Sequence, residues 1–277
     1  MDVLFAQRRR VRSPVGAGLF YPDDKVEMLK LLESYGMGNA EFGQAKAIIA
    51  THGAWSYSGA IAADTFTAAM GRNSSIKKVV ILGPIHDKRE KGLFLSNSHS
   101  FYTPLGNVLV DRKLSEQLGN SGDSFEINDI PHLGEHSIEI LLPFVKYCFP
   151  RASIIPVLMG QPGAQYIYDL SQGLKSVILP IVDETLIVIS CNLSCNKDER
   201  SAKLIAEETL SLFADMNAPA LTSAILEGRL NACGGALVVS LLESGILDKN
   251  SCCVKKTLLN AVNTENNIVY YSGLSFS

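Results

Sequence analysis

The sequence has no long run of like charge, and no apolar run reaches the ~18 residues that a bilayer span requires. Lysine and arginine number 25 against 28 aspartates and glutamates, a net charge of −3. That balance argues against nucleic acid as a partner, and no nucleotide cofactor or membrane partner is expected either. Cysteine is sparse too: six in 277 residues cannot build the disulfide framework of a small secreted domain. Cys252 and Cys253, adjacent on an expected strand, point to opposite faces and read as ordinary thiols. Repeats, low-complexity tracts and linkers are absent. The opening MDVLFAQRRR places its arginines after a short apolar patch, the reverse of a secretory signal. The expectation is an intracellular, cytoplasmic protein, with the basic cluster Gln7 to Arg12 as a solvated segment.

What the chain has is apolar residues: 47%, against 19% charged, enough to bury a large core. Apolar runs predict buried strands at Lys46–Thr51, Lys77–Gly83, Ser153–Met159 and Thr185–Cys191. Shorter strands are expected at Leu93–Ser96, Asn107–Asp111 and Ser124–Asn128. Val254–Val262 and Asn267–Phe276 read as a last, antiparallel pair joined by a polar turn. Helices are expected over Gly59–Gly71, His136–Cys148, Gln165–Ile178, Arg200–Met216, Pro219–Glu227 and Asn231–Ser244. Strands interleaved with helices indicate an α/β fold, a mixed central sheet flanked by helices. Ligands in such folds bind beyond the carboxyl ends of the strands.

Three strand ends carry chemistry. Thr51-His52-Gly53 and Pro84-Ile85-His86 follow two strong strands, and their imidazoles meet if those strands are neighbours. Two histidines with a third soft or carboxylate donor make an open metal site; loop or packing histidines are the alternative. The third end is LIVISCNLSCNKD, Leu186 to Asp198, with Cys191 and Cys195. Elsewhere, Glu135, Ser137 and Glu139 suit the first turn of a helix, while Glu135 or His136 in a cleft would serve acid–base work. Cys233, before Gly234-Gly235 at a helix start, is either a small packing thiol or a reactive thiolate, nucleophile or metal ligand.

In order along the chain, several segments resemble the Memo family, called protein B of the AmmeMemoRadiSam system in prokaryotes. Arg12-Ser13-Pro14-Val15-Gly16-Ala17-Gly18-Leu19-Phe20-Tyr21-Pro22 is similar to the family's R-x-P-A-V-A-G-x-F-Y-P. Ala50 to Gly59 resembles A-P-H-A-G-Y-x-Y-S-G, and Ile81 to His86 resembles L-G-P-S-H. Tyr102-Thr103-Pro104-Leu105-Gly106 matches in part, and Glu135-His136-Ser137-Ile138-Glu139 is the most specific motif. Leu142-Pro143-Phe144, Ile155 to Gly160 and Ala232-Cys233-Gly234 complete the series. The resemblance implies one Memo-like domain over residues 1–277, folded like the class III extradiol dioxygenases (LigB-like). It also implies a pocket in which His52, His86 and Cys233 hold iron, copper or zinc. Radical S-adenosylmethionine and AMMECR1-type proteins follow as partners by the same analogy.

Departures from the family motifs matter as much. Relatives carry S-S-D-x-S-H where this chain has Ser190-Cys191-Asn192-Leu193-Ser194-Cys195, so the family's aspartate is Asn192 and its histidine Cys195. An amide does not ionise, and a thiol near ~8.5 replaces an imidazole near ~6.5 poorly in proton transfer. Thr51 stands for proline, Ala54 for glycine and Trp55 for tyrosine, which predicts a re-shaped pocket wall. The expectation is a metal-capable binding or scaffold protein with its acid–base residues replaced. Its alternatives are an extradiol-dioxygenase-like oxidoreductase, in which Glu135 or His136 moves protons, and a cysteine-nucleophile enzyme using Cys233. Cys195 as a fourth ligand would close a Cys₂His₂ set.

Overall fold

Four apolar runs, Ala47–Ala50, Thr185–Ser190, Lys78–Pro84 and Ser153–Met159, pair in parallel, in that order, at the centre of an eight-stranded sheet in the computed structural model. The structure describes residues 10–37, 43–248, 250–255, 258–262 and 266–277. Leu274–Phe276 adds antiparallel to Ala47–Ala50, and Cys253–Lys255 antiparallel to Leu274–Phe276. On the other flank Leu93–Leu95 runs antiparallel to Ser153–Met159, with Phe125–Ile127 parallel beyond it. The architecture is therefore mixed α/β, as expected. Among the described residues no helix is long and apolar enough to cross a membrane.

Because side chains alternate along a strand, runs that are apolar at every position need cover on both faces. Ile48, Ile81 and Val188 face a layer holding Trp55–Thr67, Leu142–Cys148 and Lys25–Ser34. Ile49, Leu82, Ile187 and Ile189 face Ala164–Gly173, Glu199–Ala214, Ala218–Leu226 and Gly235–Glu243. Burying each such side chain contributes about 1.5–3 kcal/mol. The helix Lys25–Ser34, which no sequence signal singled out, starts at Asp24, whose carboxylate accepts the N–H groups of Val26 and Glu27.

Several expectations change. His136–Cys148 is not one helix: a short helix Ile130–Gly134 precedes an extended Glu135, and helical structure resumes only at Glu139–Leu141 and Leu142–Cys148. The helix expected over Gly59–Gly71 starts earlier, spanning Trp55–Thr67, and the one expected from Asn231 starts at Gly235. The last strand pair is four short strands. Ile268–Tyr271 joins Leu259–Val262 and Ser194–Asn196 in a separate sheet; residues 256–257 and 263–265 of this region lie outside the described residues.

Arg12 overturns the solvated reading of the basic cluster, of which Gln7, Arg8 and Arg9 lie outside the described residues. Val11–Arg12 is a strand parallel to Ser100–Phe101. The Arg12 side chain is 2% exposed and pairs with Glu139, 1% exposed. It also donates to the carbonyls of His132 (2.9 and 2.8 Å) and Glu135 (2.8 Å). A buried guanidinium needs such a complete set of acceptors.

Candidate metal centre

The central strand Thr185–Ser190 ends level with Ala47–Ala50, while Lys78–Pro84 runs on past it. Ser190 is level with Ala50, and Ile189 with Leu82. His52 therefore leaves one flanking strand and His86 the other. The two strands are not neighbours, as the simplest expectation had it; the end of the strand between them leaves the gap in which the imidazoles meet, ring centroids 5.2 Å apart. Cys233 enters from the loop before Gly235–Glu243. Ligand atoms of His52, His86 and Cys233 all lie within 4.8 Å of one another, and Cys233 Sγ is 3.5 Å from His52 Nε2.

Both imidazoles are oriented through Nδ1. Ser190 Oγ donates to the Ser137 carbonyl at 2.6 Å, so it accepts from His52 Nδ1–H, also 2.6 Å away. His86 Nδ1–H faces the Glu135 carboxylate at 3.0 and 3.1 Å. That carboxylate is fixed in turn by the backbone N–H groups of His86 (2.7 Å), His136 (2.8 Å) and Ser137 (2.8 Å). With Nδ1 so engaged, Nε2 of His52 is the atom that faces the sulfur, at 3.5 Å. Carboxylate or hydroxyl partners behind a histidine are the usual support of a ligating imidazole.

Electrostatics follow this geometry. Burial opposes ionisation of Glu135, but the hydrogen bonds and charge of His86 bring its carboxyl down to about 2. Burial likewise works against a charged His86, and hydrogen bonds to Cys233 and Glu135 outweigh it, raising it to about 10. The hydrogen bond from Cys191 holds Cys233 well below an ordinary thiol against its burial, with help from His52 and His86. Burial and that same neighbour push Cys191 up. His136 is stacked between Phe20 (4.9 Å) and His86 (4.8 Å). Burial and the adjacent His52 lower it to about 4, so it is neutral at pH 7.

Every residue of Glu135-His136-Ser137-Ile138-Glu139 has a place. Glu135 aligns His86, and His136 roofs it. Ser137 Oγ donates to the Pro84 carbonyl at 2.7 Å, and Ile138 is in the core. Glu139 accepts from Val15 N–H, Gly16 N–H (2.7 Å) and Tyr21 O–H (2.8 Å) besides pairing with Arg12. The segment lies hard against the strand: a Cβ on Gly83 would come within 2.7 Å of Ile138 and Ser137 side-chain atoms, so only glycine fits. Glu135 and His136 thus sit in the cleft, and the capped-helix reading of this motif fails.

The two replacements Thr51 and Asn192 bond to each other. Thr51 Oγ1 donates to Asn192 Oδ1 at 2.6 Å, and His52 N–H reaches the same oxygen at 3.2 Å. Trp55 packs in the core against Phe144, ring centroids 4.3 Å apart, and donates to the Ile140 carbonyl. Cys195 is exposed on Ser194–Asn196, opposite Val269, and lies outside the three-residue group; the sulfur beside Cys233 is that of Cys191. Ser190 and Arg12 were not legible as parts of the site, because their partners lie far away in the chain.

The donor set fits a transition metal. A metal would displace the proton of His86; two imidazole nitrogens and a thiolate are then borderline-to-soft ligands of the kind zinc, copper and iron take, and three protein donors leave a coordination position open. His86, Glu135 and His136 form a second close group, but Glu135 is already engaged by three amides and His86 Nδ1. A surface cleft of about 410 Å³, lined by Asn73, Lys77 and Arg151 among others, lies at the amino ends of the strands. The cluster occupies the carboxyl ends, where α/β sheets place ligands.

Comparison with known proteins agrees with the motif series. The family model described as Memo-like protein matches residues 12–266. A MEMO1 family protein of Aquifex aeolicus is 30% identical over 237 residues, covering 85% of this chain and 86% of that protein. One from Methanobrevibacter smithii is 26% identical over 254 residues, 87% of this chain and 90% of the relative. A third, from Methanothermobacter thermautotrophicus, is 24% identical over 277 residues, 96% of this chain and all of the relative. The chain belongs to the Memo family.

Proposed function

We propose that the protein binds one transition-metal ion through His52, His86 and Cys233 and serves a binding or scaffold role. The observation that carries this reading is the convergence of three ligand atoms within 4.8 Å, with each histidine held from behind at Nδ1. A bound ion would supply an open Lewis-acidic position. Around it, Ser190 and Glu135 fix the rings, Arg12 fixes the carbonyl of Glu135, and His136 with Phe20 covers one side. Binding is favoured over dioxygenase-type turnover because the family's aspartate is an amide here and its histidine position is the exposed Cys195. Likeness of the fold to the class III extradiol dioxygenases, and radical S-adenosylmethionine and AMMECR1-type proteins as partners, are proposed on the family resemblance.

The test is metal analysis of protein loaded with zinc and desalted. One zinc per chain is expected, lost in Cys233→Ala and His52→Ala variants that keep their circular dichroism. Retention of zinc in both variants would refute the reading. A second reading, Cys233 as a nucleophile, draws on the 3.5 Å approach of His52 Nε2 to its sulfur. Zinc protection of Cys233 from iodoacetamide favours the first reading, and labelling undiminished by saturating zinc favours the second.

A further inference from the structure

We propose that Cys191 and Cys233 form a reversible disulfide on exposure to peroxide, and that this bond withdraws Cys233 from the metal-capable group; the second half rests on the metal reading above. The two cysteines are already held together reciprocally. Asn192, the residue after Cys191, gives its N–H to Cys233 Sγ at 3.2 Å. Gly234, the residue after Cys233, gives its N–H to Cys191 Sγ, also at 3.2 Å. A Cβ on Gly234 would stand 2.7 Å from Cys191 Cβ, so glycine is what permits this approach. Where the family motif has serine, this chain places a second sulfur against the ligand cysteine.

Their settings divide the labour. Cys191 is fully buried at the end of the central strand, whereas Cys233 is partly exposed, in a group with His86, whose side chain is 42% exposed. An oxidant from solvent meets Cys233 first, because Cys191 is 0% exposed. Cys191 is anchored by the sheet. Cys233 sits outside regular structure, in the turn before Gly235–Glu243, and it is this turn that must shift to bring the sulfurs to the ~2.05 Å of a disulfide.

The chemistry balances with hydrogen peroxide as oxidant. The Cys233 thiolate attacks one peroxide oxygen; an S–O bond forms, the O–O bond breaks, and hydroxide leaves and is protonated to water. The Cys191 sulfur then attacks the sulfenic sulfur. An S–S bond forms, the S–O bond breaks, and the thiol proton leaves with the departing hydroxide as a second water. Two thiols give up two electrons and one peroxide accepts them. A disulfide sulfur carries no negative charge, so it is a far poorer ligand than the thiolate.

Reduced, metal-free protein is treated with hydrogen peroxide, blocked with iodoacetamide, digested and analysed by mass spectrometry. The expected result is a Cys191–Cys233 cross-linked peptide lighter by two hydrogens, reversed by dithiothreitol, with exposed Cys252 still alkylated. In Cys191→Ser, Cys233 accumulates instead as a dimedone-reactive sulfenic acid. Recovery of Cys191 and Cys233 as separate peptides, or of Cys233 joined to another cysteine, would overturn the proposal. In a parallel arm cobalt(II) is added before and after oxidation, and the thiolate-to-cobalt absorption of the reduced protein is lost on oxidation. A cross-link without cobalt absorption in the reduced protein leaves the disulfide standing and removes the metal reading. Cobalt absorption that survives the cross-link overturns the second half.

Discussion

His86 Nδ1 lies 3.0 Å from Glu135 Oε1, and the carboxylate it meets is immobilised by three backbone amides. A ring held this way presents Nε2 in one direction only, so the residue behind the ligand decides how well the ligand works.

Glu135→Gln is therefore expected to weaken metal binding by about 10–100-fold while leaving the fold intact. Competition against a chromophoric zinc chelator measures the change, with circular dichroism as the control on folding. An unchanged affinity would show that His86 is oriented by something else.

Arg12 and Glu139 join the N-terminal motif to the Glu135–Glu139 segment. Removing one member of a buried pair strands the other, at a cost of about 3–5 kcal/mol. Arg12→Met is expected to lower the urea midpoint accordingly, because Glu139 stays 1% exposed with its charge uncompensated. A loss under about 1 kcal/mol, the range of exposed pairs, would mean that the pair is solvated.

His132 predicts how stability depends on pH. Burial lowers it to about 4, opposed by its hydrogen bond to the Phe94 carbonyl and by the charge of Asp129 and Glu135, and reinforced by Arg12. The unfolded value is near ~6.5, so the unfolded chain binds the proton more readily. Its contribution is complete above about pH 6.5 and is lost as pH falls through about 4, an effect of about 3 kcal/mol. Denaturation of wild type and His132→Gln at pH 7 and about pH 4.5 checks this: the wild type should lose more stability on acidification than the variant.

Asn192 Oδ1 accepts from Thr51 Oγ1 and His52 N–H. Asn192→Asp keeps that acceptor, and its stability at pH 7 is expected to stay within about 1 kcal/mol of wild type. Thr51→Val deletes one donor and costs about 1 kcal/mol. Thermal denaturation of both variants decides whether the two replacements form a working pair.

The central sheet was legible because its strands are apolar at every position. Ser153–Met159 has the expected bounds, and the other three central strands shift by a residue or so. The extended stretch at Glu135 was not, because charged residues ahead of an apolar periodicity look like a helix start whether they cap a helix or grip a distant histidine. His52, His86 and Cys233 stood out singly as polar residues at the ends of apolar segments, and only the family motifs joined them. Arg12 was misread for a general reason: a buried charge has no local signature when its partner, Glu139, lies 127 residues away. The nearness of Cys191 to Cys233 has no local signature either, since the two lie in separate segments joined by the hydrogen bonds of Asn192 and Gly234.

Cobalt(II) titration of the reduced protein, followed by absorption, tests the central claim most directly. One equivalent should produce a near-ultraviolet thiolate-to-cobalt band that saturates, is absent in Cys233→Ser and is weakened in His52→Ala and His86→Ala. A band of full strength in Cys233→Ser, or none in the wild type, would contradict a metal centre built from these three residues.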